Sequence, residues 1–147
     1  MPLAAPDLDA AFEACRRETA EWAKTFYLGT LLLPQEKRRA IWAIYVWCRR
    51  TDELMDSPEA QVRPVNELAE RLDRWEEKTR ALFKGPVEDD LDAVMVDTFE
   101  RFPQDIQPYL DMIEGQRMDL TWTRYPRFDD LKPVSYTHLR AHETPLH

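Results

Sequence analysis

The chain has 147 residues, 44% of them hydrophobic, with five Trp and six Phe. That is enough apolar material for one domain with a real core, and it excludes a disordered chain. Twenty Lys and Arg against 28 Asp and Glu leave a formal net charge of -8, which argues against a nucleic-acid partner, whose affinity rests on basic side chains that neutralise phosphates.

Helical periodicity dominates from the start. Leu8, Phe12, Cys15, Thr19, Trp22 and Phe26 step along one face, with Asp7 available as a cap, until Gly29 interrupts. The run Leu28, Leu31, Leu32 and Leu33 that follows could form an apolar rim, but burial is the favoured reading. Pro34 sits where a first helical residue belongs and opens a helix that ends at Ser57-Pro58. Pro64 opens a charged helix with the stripe Leu68, Leu72, Trp75, Thr79 and Leu82, closed by Gly85-Pro86. A further helix spans about 89–102, and a last one about 108–121, with Leu110, Ile113, Met118 and Trp122 as candidate core contacts and Gly115 as a point of close helix approach. No alternating strand or glycine-rich phosphate loop occurs, so the fold class is all-α and nucleotide-binding βαβ readings are excluded.

No stretch approaches the ~18 consecutive apolar residues of a membrane span, and Met1–Asp7 (MPLAAPD) resembles neither a signal nor a transit peptide, so the chain reads as soluble. Cys15 and Cys48 lack metal-ligand spacing and read as free, packed thiols in a reducing compartment.

The chemistry concentrates in the Pro34 helix. Tyr45, Arg49, Asp52 and Asp56 fall at i, i+4, i+7 and i+11, which at about 100° per residue confines them to an arc of roughly 60°, with the two carboxylates about 6 Å apart along the axis. Two carboxylates without His or thiolate suit Mg²⁺, which takes oxygen ligands and lets substrate phosphates complete its shell, with Mn²⁺ as the alternative. Arg49 would meet phosphate charge directly. The bland alternative is that Arg49 forms ordinary ion pairs with Asp52 and Glu53 on a wet helix face. Ile41, Trp42, Ala43, Ile44, Val46, Trp47, Cys48, Leu54 and Met55 leave little of this helix that wants water. The expectation is therefore a buried helix whose charged row faces a cavity. Lys24 and Thr25 could receive phosphate oxygens at a helix end.

Residues 40–56 (AIWAIYVWCRRTDELMD) resemble the first aspartate-rich motif of the squalene/phytoene synthase family, phytoene branch. Residues 24–30 (KTFYLGT) resemble the family's substrate-binding segment, and FPQDIQP at 102–108 and MIEGQRMDL at 112–120 follow in family order. The resemblance runs from about Ala11 to Leu131. It implies an isoprenoid synthase-type helical fold that joins two geranylgeranyl diphosphates head to head into phytoene, through a cyclopropyl diphosphate, for carotenoid synthesis. Asp52 and Asp56 would hold Mg²⁺, Arg49 would add charge, Tyr45 and Thr25 would bind phosphate oxygens, and Phe26 would line the apolar cavity. Asp119 stays outside the catalytic set. The resemblance also implies peripheral membrane association, in the cytoplasm or the plastid stroma. The alternatives are a squalene or dehydrosqualene synthase using farnesyl diphosphate, and a non-catalytic helical assembly subunit of the same fold.

All three His lie in residues 134–147 (VSYTHLRAHETPLH), where His138 and His142 imitate an i,i+4 metal pair. This stretch resembles a translated sequencing adapter. The expected organisation is therefore residues 1–133 as the N-terminal part of a synthase domain, truncated to its first helices, and residues 134–147 as a non-native tail. The family's second aspartate-rich motif has no match here, so the expectation for the chain alone is little or no turnover.

Overall fold

In the computed structural model, residues 5–84 and 87–124 are described, and they form helices with no strand among them. The order is α1 (Ala5–Trp22), α2 (Lys24–Thr30), α3 (Gln35–Asp56), α4 (Pro58–Gln61), α5 (Val65–Leu82), α6 (Asp90–Arg101) and α7 (Gln107–Arg124). The expected closure at Gly85-Pro86 and the tail from Val134 fall outside the described residues.

The starts have local causes. Proline with ψ near 150° precedes both α3 and α5, its fixed φ delivering the chain at a helix entrance, so Pro34 and Pro64 stand one residue ahead of their helices. Asp89 caps α6 by accepting from Asp92 N–H at 2.8 Å, and Ser57 caps α4 by accepting from Ala60 N–H at 3.2 Å. Asp7 lies within α1 rather than ahead of it.

α3 is the central element and packs on α1, α4, α5, α6 and α7. Its Trp47 is 1% exposed, stacks on Trp75 of α5 at 6.0 Å and meets Tyr109 of α7 edge-on at 5.0 Å. Phe12 and Cys15 of α1, Leu68 and Leu72 of α5, Val94 and Met95 of α6, and Ile113 and Leu120 of α7 complete the core. Four buried threonines fit this apolar interior because each donates to the carbonyl one turn back: Thr19 to Cys15, Thr51 to Trp47, Thr79 to Trp75 and Thr98 to Val94, at 2.7–2.9 Å. Thr51 and Thr30 then accept from the indole N–H of Trp75 and Trp42 at 2.8 and 2.9 Å, so no buried side-chain polar atom among the described residues lacks a partner.

Leu68, Leu72, Thr79 and Leu82 of the α5 stripe and Phe12, Cys15 and Thr19 of the α1 face are buried as the periodicity predicts, with Trp75 and Leu8 half-buried beside them. Beyond Thr19 the expectation fails. Trp22, the last residue of α1, is 60% exposed; the backbone then breaks at Ala23 (φ -142°, ψ 67°), which restarts the helical phase, and Phe26 on α2 emerges 47% exposed. Gly29 then lies inside α2. The leucine run is also at the surface, with Leu28 exposed on α2 and Leu31 and Leu32 exposed in the turn between α2 and α3. On α7 the buried positions are Tyr109, Ile113 and Leu120, whereas Met118 is exposed. Gly115 is exposed, and a methyl group there would meet nothing within 4 Å, so it marks no close helix contact.

Among the described residues no helix is long and apolar enough to cross a membrane. Cys15 and Cys48 are free, and burial pushes their thiols up to about 12 and about 11, so both are inert packing groups.

Candidate functional site

Because α3 runs unbroken from Gln35 to Asp56, Tyr45, Arg49, Asp52 and Asp56 share one side of it. Ala43 and Trp47 lie roughly opposite. The row is not buried as expected. Tyr45 and Arg49 are half-buried, and Asp52 and Asp56 are exposed. The apolar residues of α3 claim its back and flanks, and the remaining sector of about 60° is narrow enough to stay in water while the rest of the helix is packed.

Of the predicted phosphate and cavity residues, Phe26 and Tyr45 come together, their rings stacked at 5.8 Å and 30°. Thr25, the second residue of α2, is exposed just before Phe26. Arg49 takes the pairing foreseen with Glu53, at 2.6 Å, but its Nε donates to Glu18 of α1 at 2.8 Å, and its guanidinium lies 4.0 Å from the centre of the Trp22 ring. Arg50 also donates to both oxygens of Glu18, at 2.7 and 2.8 Å. Burial alone would raise the Glu18 carboxyl. The hydrogen bonds from Arg50 and Arg49 outweigh it and hold the group below its ordinary range.

Asp52 behaves in the opposite way. Although the residue is exposed, its carboxyl is partly desolvated, and that effect followed by repulsion from Asp56 raises its pKa, outweighing the opposing charge of Arg49. The hydrogen bond it accepts comes from Gln116 Nε2 of α7, at 2.8 Å. Neighbouring negative charge that no arginine has neutralised is the condition under which a cation binds. No three His, Cys, Asp or Glu converge as a metal cage among the described residues. The donor set is two carboxylates with no nitrogen or sulfur, which fits Mg²⁺ or Mn²⁺ taking its other ligands from water and phosphate.

A cleft of about 640 Å³ adjoins the row on its Arg49 side, lined by Glu18, Trp22, Arg49 and Glu53, and one of about 690 Å³ lies along α5 by Arg71 and Trp75. Neither is lined by Asp52 or Asp56, so the expected hollow beside the aspartates is not formed by these clefts.

Glu18 has no local mark in the sequence, and Gln116, although inside the 112–120 segment, carries no sign there of its partner. Glu18 reads as one more charge on α1, and Gln116 as one polar residue on α7, until the packing of α1 and α7 on α3 sets them beside Arg49 and Asp52.

Residues 19–138 match the family model for squalene/phytoene synthase. The chain is 57% identical over 129 residues to the 15-cis-phytoene synthase of Synechococcus elongatus, 55% identical over 129 residues to that of Synechocystis sp., and 57% identical over 130 residues to the chloroplastic phytoene synthase 1 of Arabidopsis thaliana. Each match takes in 88% of this chain but only 41%, 37% and 30% of the relative, so the chain spans well under half the length of these proteins. A crystal structure of a dehydrosqualene synthase superposes with a TM-score of 0.67 at 28% identity, covering 79% of this chain and 38% of that one.

Proposed function

The chain belongs to the squalene/phytoene synthase family, and on that footing we propose that the whole protein joins two geranylgeranyl diphosphates head to head into 15-cis-phytoene. The observation that carries the reading is the α3 row: an outward acidic pair, Asp52 and Asp56, continuous with Arg49, Tyr45 and the Phe26 ring stacked on it. The identity of 55–57% to proteins named phytoene synthase, against 28% to a dehydrosqualene synthase, supports the longer geranylgeranyl chain over farnesyl diphosphate.

In this reading Asp52 and Asp56 hold Mg²⁺, with Mn²⁺ able to replace it. When bound, the metal supplies positive charge that lets a diphosphate leave as the allylic carbon–oxygen bond breaks. Thr25 and Tyr45 offer hydroxyls to phosphate oxygens, and Phe26 offers an aromatic face to the carbocation. Arg49 contributes charge from the pair it forms with Glu18 and Glu53, so its guanidinium is already oriented and partly neutralised before substrate arrives.

An exposed acidic row needs a covering wall to exclude water from a carbocation. We assign that wall to the part of the relatives' length that this chain does not span, which also accounts for the exposed row and predicts no turnover by the chain alone. The exposed Leu28, Leu31 and Leu32 fit a rim through which prenyl chains enter from a bilayer surface, in the cytoplasm or the stroma.

The test is product analysis of the full-length protein with Mg²⁺ and each diphosphate in turn. Phytoene from geranylgeranyl diphosphate is expected. Dehydrosqualene or squalene from farnesyl diphosphate alone would replace this reading with the shorter-chain one, and no product from either would leave a non-catalytic helical subunit.

A further inference from the structure

Two arginines are candidates to neutralise Asp52, Arg49 on its own helix and Arg117, the chain neighbour of Gln116 on α7, and the structure directs both elsewhere. Arg49, three residues before it on α3, is taken by Glu18 and Glu53 at 2.8 and 2.6 Å. Arg117 on α7 is drawn to α5 by Asp73 and Glu76 at 2.9 and 2.7 Å, and is held on its own helix by Glu114 at 3.2 Å. Between them the group that reaches Asp52 is the side-chain amide of Gln116, which donates to Oδ1 at 2.8 Å across 64 residues of sequence.

The distinction matters because a carboxylate can be steadied in two ways. A guanidinium or ammonium fixes its orientation but cancels the charge a divalent cation needs. An amide fixes the orientation through one oxygen, leaves the other oxygen available and adds no net charge. Resting on the reading of Asp52 and Asp56 as the metal-binding pair, we propose that Gln116 is the positioning residue of that pair: it holds the Asp52 carboxylate against α7 so that it presents a fixed oxygen to the cation. The same helix offers an internal control. Gln107 donates to Asp111 Oδ1 at the same 2.8 Å, but Asp111 is one turn along α7 itself and is not part of the α3 pair.

The experiment uses the 147-residue chain and Mn²⁺ as the probe, with metal binding rather than turnover as the readout. Free Mn²⁺ is followed by electron paramagnetic resonance, and the side-chain amide signals of Gln116 and Gln107 by ¹⁵N–¹H spectra. In the unaltered chain, substoichiometric Mn²⁺ is expected to broaden the Gln116 amide pair before that of Gln107. Equal broadening of both overturns the proposal, and this measurement needs no variant to fold. Gln116→Leu is expected to weaken Mn²⁺ binding about tenfold, the lower end of the usual loss on removing a group that orients a ligand, with an unchanged helical circular dichroism spectrum. Gln116→Lys, at a half-buried helical position, is expected to bind still more weakly because it adds the cancelling charge, again with an unchanged helical circular dichroism spectrum. Mn²⁺ affinity equal to the unaltered chain in either variant overturns the proposal. Asp52→Asn separates the two layers of the argument. If it abolishes binding while Gln116→Leu does nothing, the acidic pair stands and the role of Gln116 falls. If it changes nothing, the metal reading falls and takes Gln116 with it.

Discussion

The two sides of α3 are built from the same 22 residues and obey opposite rules. Its inner side carries Trp42, Ala43, Val46, Trp47, Thr51 and Met55, each less than a tenth exposed, where every polar atom is paired and the rings of α5 and α7 close over the helix. Its outer side carries Asp52 and Asp56, whose mutual repulsion is tolerated rather than cancelled. The contrast teaches that the helix is anchored by one face so that the other can hold an unfavourable arrangement, since strain of this kind persists only where the surrounding structure over-determines it.

The largest effect that would break this division is expected from the anchoring side. Trp47→Ala removes a fully buried indole and its contacts with Trp75 and Tyr109. It should cost about 3–5 kcal/mol, read from urea unfolding of the chain. A loss below 1 kcal/mol would show that the inner face is not what holds α3.

On the outer side, Asp52→Asn in the full-length protein should lower the rate of product formation by about a hundredfold, the scale of removing one charge-stabilising group. Its effect on stability should be small and of opposite sign. The Asp52 carboxyl is raised in the folded state, so its contribution to stability falls as pH rises through that raised value, and the ionised group is destabilising at pH 7. The variant should therefore melt slightly higher than the parent at pH 7 and equal to it near pH 3. A lower melting temperature at pH 7 would contradict the charge arrangement described for the pair.

Thr51→Val sharpens the comparison on the inner side, because it keeps the shape and deletes only a hydroxyl. The indole N–H of Trp75 then loses its acceptor, at about 1–3 kcal/mol, again read by urea unfolding. The smallest effect concerns Glu18. Its carboxyl lies below the ordinary 4.5, so the stability it lends is complete above pH 4.5 and is lost as pH falls through the lowered value. Glu18→Gln should flatten the acid limb of a melting-temperature profile, and an unchanged limb would show that the Arg49–Glu18–Arg50 cluster contributes nothing measurable.

Much of this was legible in the residues. Proline at 34 and 64, the apolar stripe of α5 and the spacing of Tyr45, Arg49, Asp52 and Asp56 each follow from backbone geometry that acts within one or two turns. The continuation of the α1 face to Phe26 was not legible, because one residue, Ala23, leaves helical geometry and resets the phase before it. Nor was the surface position of the leucine run and of the acidic pair, because hydrophobicity records what can be buried, whereas burial itself depends on which element lies opposite.

The sequence by itself determined the helical class, the ends of α3 and α6 to within a residue or two, the family and the sharing of one helical face by the acidic pair, since all of these depend on local torsion and on order along the chain. Only the tertiary structure decided that Glu18 would occupy Arg49 and Arg50, that Arg117 would turn to α5, and that Gln116 would be the donor to Asp52. Those pairings join residues 31 to 64 positions apart on the chain, or separate helices, and nothing local distinguishes the glutamate or the amide that makes them.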